Sequence, residues 1–217
     1  MKEEYRDLAI ALSPLVDILL CETMSSIFEA YTAAATCAQH SNKPIWISFT
    51  LDDSIGTETE TKQPVVTLRS GESIQEALRK ISPVPRVQAI LFNCSAPEVV
   101  LHAISISVRL VTTGKLFPVP IRVGGYANGF KTTTSEWLSS TTSTASMNTN
   151  TTIRPVLLTL LDEEYDEGEG GSGGIILPEK YGGWVQQWMA HGATIVGGCC
   201  GIGPQHIQCV HDQMQER

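Results

Sequence analysis

The chain has 217 residues, of which 42% are hydrophobic, and a formal net charge of −8 at pH 7. This length suffices for one core of ordinary size, and the negative charge argues against nucleic acid or an anionic membrane surface as a partner. No apolar run reaches the roughly 20 residues that a membrane span requires, and the polar start is unlike a secretory signal. We therefore expect a cytoplasmic protein, whose six cysteines are metal ligands, catalytic groups or buried thiols rather than disulfides.

Short apolar runs alternate along the chain with segments of helical periodicity. The predicted strands cover residues 17–21, 45–50, 87–93, 120–124 and 193–198. The predicted helices cover residues 3–12, 26–40, 73–81, 97–107 and 178–192, and a last one begins at Pro204. Strands that are apolar on both faces and alternate with helices indicate an α/β fold with a parallel sheet, either doubly wound or a barrel. No Gly-x-Gly-x-x-Gly pattern follows the first strand, which disfavours nucleotide binding.

Several helix starts carry recognisable signals. The spacing of Ser26 and Glu29, and that of Ser73 and Glu76, predicts capping boxes at the second and third helices. Residues 131–174 lack such periodicity, because a Ser-, Thr- and Asn-rich stretch is followed by an acidic run and by glycines. We interpret this segment as a largely disordered surface insertion in a single domain that spans residues 1–217.

The strongest chemical signal is Gly197-Gly198-Cys199-Cys200-Gly201 at the end of an apolar strand. Neighbouring residues of a strand point to opposite faces, so two adjacent thiols converge only where the backbone leaves strand geometry, which glycines permit. Cys94 ends an earlier strand, and parallel α/β proteins place their sites at such strand ends. Three thiolates suit zinc and leave its fourth position open, as in a catalytic site.

Other interpretations of these residues exist. The pair Cys199–Cys200 could serve redox chemistry instead of metal binding. We expect Cys21, Cys37 and Cys209 to be buried small hydrophobic residues. The histidines of the helical segments are expected at the surface or as helix caps; they are His102, His191 and His206.

Five segments together resemble the homocysteine S-methyltransferase family. The glycine-flanked cysteine pair resembles its terminal zinc motif, and Phe92-Asn93-Cys94 resembles its upstream Val-Asn-Cys motif. The other matching segments are Leu20-Cys21-Glu22-Thr23, Ile47-Ser48-Phe49-Thr50 and Val123-Gly124-Gly125-Tyr126-Ala127-Asn128. The resemblance implies a TIM (β/α)8-type barrel. Because a complete barrel needs about 250 residues, we expect an N-terminally truncated barrel with about five of its eight strands.

The resemblance also implies a set of site residues and ligands. Cys94, Cys199 and Cys200 would bind Zn²⁺, whose fourth ligand would be the sulfur of homocysteine. Glu22 would bind the amino group of this substrate, and the other expected substrate contacts are Ser48, Phe49 and Asn93. The expected activity is methyl transfer to homocysteine, giving methionine, with S-methylmethionine or S-adenosylmethionine favoured as the donor. The alternative is a homologue that binds zinc without catalysing the transfer.

Overall fold

The computed structural model describes residues 1–53, 66–113, 116–130, 165–166 and 174–215. The helices are α1 (Lys2–Leu12), α2 (Ile27–His40), α3 (Ile74–Ile81), α4 (Pro97–Thr113), α5 (Pro178–Ala190) and α6 (Pro204–Gln215). The strands are β1 (Leu19–Met24), β2 (Ile45–Thr50), β3 (Val87–Asn93), β4 (Arg122–Tyr126), β5 (Tyr165–Asp166), β6 (Ile175–Ile176) and β7 (Ile195–Val196). The predicted α/β class is thereby confirmed.

Five of the strands form one parallel sheet in the order β1-β2-β3-β4-β7. The order follows the chain without a reversal among the described strands, whereas an open doubly wound sheet reverses its order near the middle. Since crossover connections between parallel strands are right-handed, an order that runs one way places the connecting helices on one face. The sheet is therefore singly wound, with a helix-covered face and a second face that carries polar side chains.

The hydrophobic core lies between the sheet and its helices. Ile47, Phe49 and Phe92 are fully buried, and the rings of Phe49 and Phe92 lie 6.4 Å apart. A Cβ atom at Gly125 would stand 2.5 Å from Val100 of α4, so β4 and α4 approach one another closely. The alternate residues of β2 and β3 point to the opposite face, which bears Ser48 and Asn93.

Strand β7 is short and approaches β4 closely. The two strands pair only through Gly124 with Ile195 and Gly125 with Val196. A Cβ atom at Gly124 would lie 1.9 Å from the carbonyl oxygen of Ile195, so only glycine permits this approach. The predicted strand 193–198 is therefore too long at both ends. Its last two residues instead form a loop that leads to the cysteine pair.

Some predicted boundaries and caps are also corrected. Strand β1 begins two residues later than expected and continues to Met24, so it includes Glu22. The capping box of α3 is complete, but at α2 only the Ser26 half forms, because the Glu29 carboxylate accepts from the backbone N–H of Ser25 instead. A complete capping box would use the Ser26 N–H. The Glu29 carboxylate instead satisfies the N–H of Ser25, one residue earlier, next to the helix start.

The described residues on either side of the 131–174 segment meet at one place. Phe130 bridges to Ile175, and the Ile176 backbone N–H donates to the Gly129 carbonyl at 2.7 Å. Strand β5 (Tyr165–Asp166) pairs antiparallel with β6 (Ile175–Ile176), which the sequence did not predict. The rest of the proposed insertion lies outside the described residues. Within the described residues, no helix combines the length and apolar character that crossing a membrane requires.

Candidate metal centre

Three thiols meet at the carboxyl-terminal edge of the sheet. Cys94 follows β3, and Cys199 and Cys200 follow β7. The Sγ atoms of Cys94 and Cys199 lie 2.9 Å apart, those of Cys199 and Cys200 lie 3.9 Å apart, and all three sulfurs lie within 4.8 Å of one another. The structure therefore brings together the three cysteines that the sequence singled out, although 105 residues separate Cys94 from Cys199.

Hydrogen bonds to the backbone at the ends of two strands stabilise the turn that carries Cys94. Cys94 has a φ of +50°, a left-handed conformation that is uncommon for a residue other than glycine. The next residue, Ser95, is fully buried; its hydroxyl donates to the Asn93 carbonyl at 3.0 Å and accepts from the Leu51 N–H at 2.9 Å. Ser95 therefore fixes the turn that directs the Cys94 thiol toward the cysteine pair.

The backbone of Cys199 and Cys200 leaves strand geometry, as two convergent neighbouring thiols require. The Cys199 N–H donates to the Ala127 carbonyl at 2.9 Å, and the Cys200 carbonyl accepts from the Gly129 N–H at 2.8 Å. A Cβ atom at Gly198 would lie 2.1 Å from the Ile202 side chain, and Gly201 has a φ of +79°. Glycine is therefore needed on each side of the pair, in agreement with the sequence interpretation.

The three thiols share protons unequally. The hydrogen bond from Cys94 lowers the pKa of Cys199 to about 6, whereas the same contact, together with burial, raises the pKa of Cys94. Burial also raises the pKa of Cys200. In the metal-free cluster Cys199 is thus the thiol that loses its proton most readily, and its sulfur is in contact with both of the others.

The donor set fits a zinc ion. Ligands placed about 2.3 Å from zinc at the corners of a tetrahedron stand about 3.8 Å from one another. The Cys199–Cys200 separation of 3.9 Å matches this value, and the shorter Cys94–Cys199 contact is a thiol hydrogen bond rather than a disulfide of about 2.05 Å. Three sulfur donors favour zinc over magnesium or calcium, which prefer oxygen ligands.

Asn93 organises the polar face beside the thiols. Its side chain is 1% exposed; Oδ1 accepts from the Ser48 hydroxyl at 2.7 Å, and Nδ2 donates to the Thr23 hydroxyl at 2.8 Å. One residue of β3 thus ties β2 to the end of β1. Ser48 and Asn93 are brought together next to Cys94, where the sequence placed them.

Glu22 lies on the same face but is exposed. Its Oε1 accepts a hydrogen bond from the Tyr126 hydroxyl at 3.0 Å, and this bond joins β1 to β4 across two intervening strands. Burial is the main cause that raises the pKa of Tyr126, so the phenol stays protonated and can donate. The sequence patterns assigned no role to Tyr126, although its position two residues after Gly124 places its polar side chain on the same strand face.

The remaining candidate residues lie elsewhere. The Phe49 side chain is fully buried on the helix side, so only its backbone can reach the polar face. Cys21 and Cys37 are buried as expected, but Cys209 is half-buried. His206 is buried rather than at the surface, but it does cap α6, because its Nδ1 accepts from the Gly203 N–H at the helix start at 3.2 Å. Its Nε2 donates to the Ile176 carbonyl at 2.7 Å.

The model of the family described as homocysteine S-methyltransferase matches residues 1–214. The chain belongs to the homocysteine S-methyltransferase family. Homocysteine S-methyltransferase 4 of Zea mays is 22% identical over 201 residues, which cover 92% of this chain and 45% of the relative. Selenocysteine Se-methyltransferase of Brassica oleracea var. italica is 23% identical over 202 residues, which cover 93% of this chain and 44% of the relative. The chain thus spans less than half the length of these members of the family.

The solved structures agree on the fold. The metallated form of the homocysteine methyltransferase MmuM from Escherichia coli superimposes with a TM-score of 0.59 at 18% sequence identity. The match covers 98% of this chain and 52% of MmuM. The apo form of MmuM gives a TM-score of 0.58, with 98% and 57% of the two chains covered. The sheet and helices described above are therefore one part of the fold found in this family.

Proposed function

We propose that Cys94, Cys199 and Cys200 bind one zinc ion, and that the chain contributes this centre to methyl transfer onto homocysteine. The observation that carries the proposal is the convergence of the three sulfurs within 4.8 Å at the end of two strands. Zinc held there would keep a bound homocysteine sulfur deprotonated and nucleophilic at neutral pH, where a free thiol is largely protonated. The fourth position of a three-cysteine site is open to such a sulfur.

The polar face next to the thiols provides the substrate contacts. We assign the amino group of homocysteine to the exposed carboxylate of Glu22, which Tyr126 orients at 3.0 Å. Ser48 and Asn93, bonded to each other at 2.7 Å, lie on the same face of the sheet as this carboxylate, and Asn93 directly precedes Cys94. The backbone of Phe49 completes the contact, because its side chain lies in the core.

The transfer itself requires little from the protein beyond positioning. The homocysteine sulfur attacks the methyl carbon of a sulfonium donor such as S-methylmethionine or S-adenosylmethionine. A new sulfur–carbon bond forms, the methyl–sulfonium bond breaks, and the electron pair of that bond stays on the departing neutral thioether. Since no proton moves in this step, the described residues need only hold the two sulfur atoms and the methyl group in line.

A second candidate is a zinc-binding chain that does not catalyse the transfer. Leu20, on the polar face of β1, is 44% exposed, so this face is open at one edge, and the chain spans 45% of the Zea mays relative. We propose that the singly wound sheet is part of a TIM barrel, whose other strands would cover that edge. Catalysis requires an enclosed site for both substrates, whereas zinc binding requires only the three cysteines.

The first test is the zinc content of the purified chain, measured by elemental analysis before and after treatment with a mild chelator. We expect about one zinc per chain, held more tightly against the chelator when homocysteine is present, since a ligand of the folded form stabilises it. Folded protein without zinc, but with all three thiols titratable, would contradict the metal centre. It would favour the redox interpretation of the cysteines.

Glu22→Gln should weaken homocysteine binding to the zinc-loaded chain by about tenfold, the equivalent of roughly 1.4 kcal/mol. Glutamine can still accept the Tyr126 hydrogen bond but carries no charge for the amino group. Calorimetric titration with homocysteine measures the loss, and zinc content should not change. Asp17→Asn is the control, because Asp17 is an exposed carboxylate before the other end of β1. Equal weakening by both variants would show that Glu22 does not contact the substrate.

A further inference from the structure

The buried side chain of Tyr181 on α5 connects the two chain segments next to the metal centre. Its hydroxyl donates to the Gly197 carbonyl at 2.7 Å and accepts from the Ala127 N–H at 3.1 Å. Gly197 stands two residues before Cys199, and Ala127 supplies the carbonyl that accepts from the Cys199 N–H at 2.9 Å. One phenol thus bonds both the strand end that leads to the cysteine pair and the loop on which this pair rests.

We infer that Tyr181 is a positioning residue for the metal centre, which sets the placement of Cys199 and Cys200 relative to Cys94 through its hydroxyl. The inference rests on the proposed function of the three cysteines. In the described structure the β4–β7 register ends at Val196. Beyond it, two backbone bonds join the segments: Gly197 N–H donates to the Gly125 carbonyl at 3.2 Å, and Cys199 N–H donates to the Ala127 carbonyl at 2.9 Å. Beyond that point the Tyr181 hydroxyl bridges the end of β7 and the loop after β4.

The surroundings of Tyr181 hold the hydroxyl in place. The residue is fully buried, and its ring meets those of Trp188 and His206 edge to face, with centroids 5.8 Å and 6.1 Å away and interplanar angles of 89° and 86°. The Trp188 indole N–H donates to the Pro97 carbonyl at 3.2 Å, which anchors α5 to the start of α4, three residues after Cys94. Burial raises the pKa of Tyr181, so the phenol stays neutral and keeps the proton that it donates.

The effect of the hydroxyl is separable from the effect of the ring. Tyr181→Phe keeps the aromatic packing but leaves the Gly197 carbonyl and the Ala127 N–H without this partner inside the protein. A buried backbone group without a hydrogen-bond partner costs free energy. The Gly197 and Ala127 segments should therefore shift to form other bonds, and this shift should displace the Cys199 and Cys200 thiols. Groups that orient metal ligands typically change metal affinity by about 10–100-fold.

The experiment is a titration of the metal-free chain with Co²⁺, followed by the visible absorption of tetrahedral cobalt–thiolate, together with thermal unfolding of the metal-free form. Tyr181→Phe should weaken Co²⁺ binding by about tenfold or more and alter the band shape. Val185→Ala is the matched control, because Val185 is buried on the same helix but bonds to neither segment. It should lower the unfolding temperature while leaving the Co²⁺ affinity and spectrum unchanged.

Two outcomes would overturn the inference and are distinguishable from each other. If the unsubstituted chain gives no cobalt–thiolate bands, the proposed metal centre and the role of Tyr181 are both wrong. If the unsubstituted chain binds Co²⁺ and Tyr181→Phe matches it in affinity and spectrum, or loses affinity only as far as Val185→Ala does, the role of Tyr181 alone is wrong.

Discussion

Cys199→Ser should remove tight zinc binding. The Cys199 sulfur contacts both of the others, at 2.9 Å from Cys94 and 3.9 Å from Cys200, and the hydrogen bond with Cys94 lowers its pKa. A serine hydroxyl is a far harder ligand and stays protonated, so two thiols would remain. Changes in groups that merely orient ligands weaken binding by about 10–100-fold, and loss of a ligand should exceed about a hundredfold.

Competition with a chromophoric chelator measures this loss of zinc affinity. Cys209→Ser is the control, because Cys209 is a half-buried free thiol of α6 outside the cluster. Cys94→Ser should behave like Cys199→Ser, although Cys94 comes from a different strand. Full zinc content in either cluster variant would show that the ion binds elsewhere.

Among additions of a single methyl group to the sheet, Gly124→Ala should lower the free energy of unfolding most. The new Cβ would lie 1.9 Å from the Ile195 carbonyl oxygen, which belongs to the backbone and cannot turn away as a side chain can. Overpacking typically costs about 1–3 kcal/mol, and we expect the upper end here. For a chain of this size the unfolding temperature should then fall by roughly 10 °C.

Gly124→Ala should also displace the thiols of the cluster. Strand β7 pairs with β4 only at Gly124 and Gly125, so a displaced β7 moves Cys199 and Cys200 away from Cys94. Thermal unfolding of the metal-free chain and zinc affinity should therefore both decline. Gly183→Ala on α5 is the control: its Cβ would meet no atom within 4 Å, and alanine favours a helix over glycine by up to about 1 kcal/mol. Similar unfolding temperatures for the two variants would contradict the close approach of β4 and β7.

The convergence of the Cys199 and Cys200 thiols could be predicted from sequence, because one local pattern carried the information. The adjacent cysteines indicate the metal-donor atoms. The flanking glycines indicate a backbone flexible enough for both thiols to converge. Cys94 was harder, since its nearness to Cys199 depends on the order of the strands in the sheet. The parallel α/β pattern supplied that information, because it places the ends of all strands at one edge.

The contacts that hold the site were less accessible. Tyr181 lies on a helix with an apolar face, so its pattern predicts a core aromatic residue, and nothing local indicates a bond to Gly197 some 16 residues later. The length of β7 was overestimated, because an apolar run does not show where the backbone leaves strand geometry. Long-range backbone packing of this kind depends on three-dimensional proximity, which residue patterns encode only weakly.

The bridge between Phe130 and Ile175 closes the chain at the base of the 131–174 segment. The two ends meet through bonds between described residues: Ile176 N–H donates to the Gly129 carbonyl at 2.7 Å, and Gly129 N–H donates to the Cys200 carbonyl at 2.8 Å. This junction is consequently a natural point for inserting a reporter domain, because the bonds of Gly129 and Ile176 next to the cysteine pair can persist when Tyr165 and Asp166, which pair with Ile175 and Ile176, are retained.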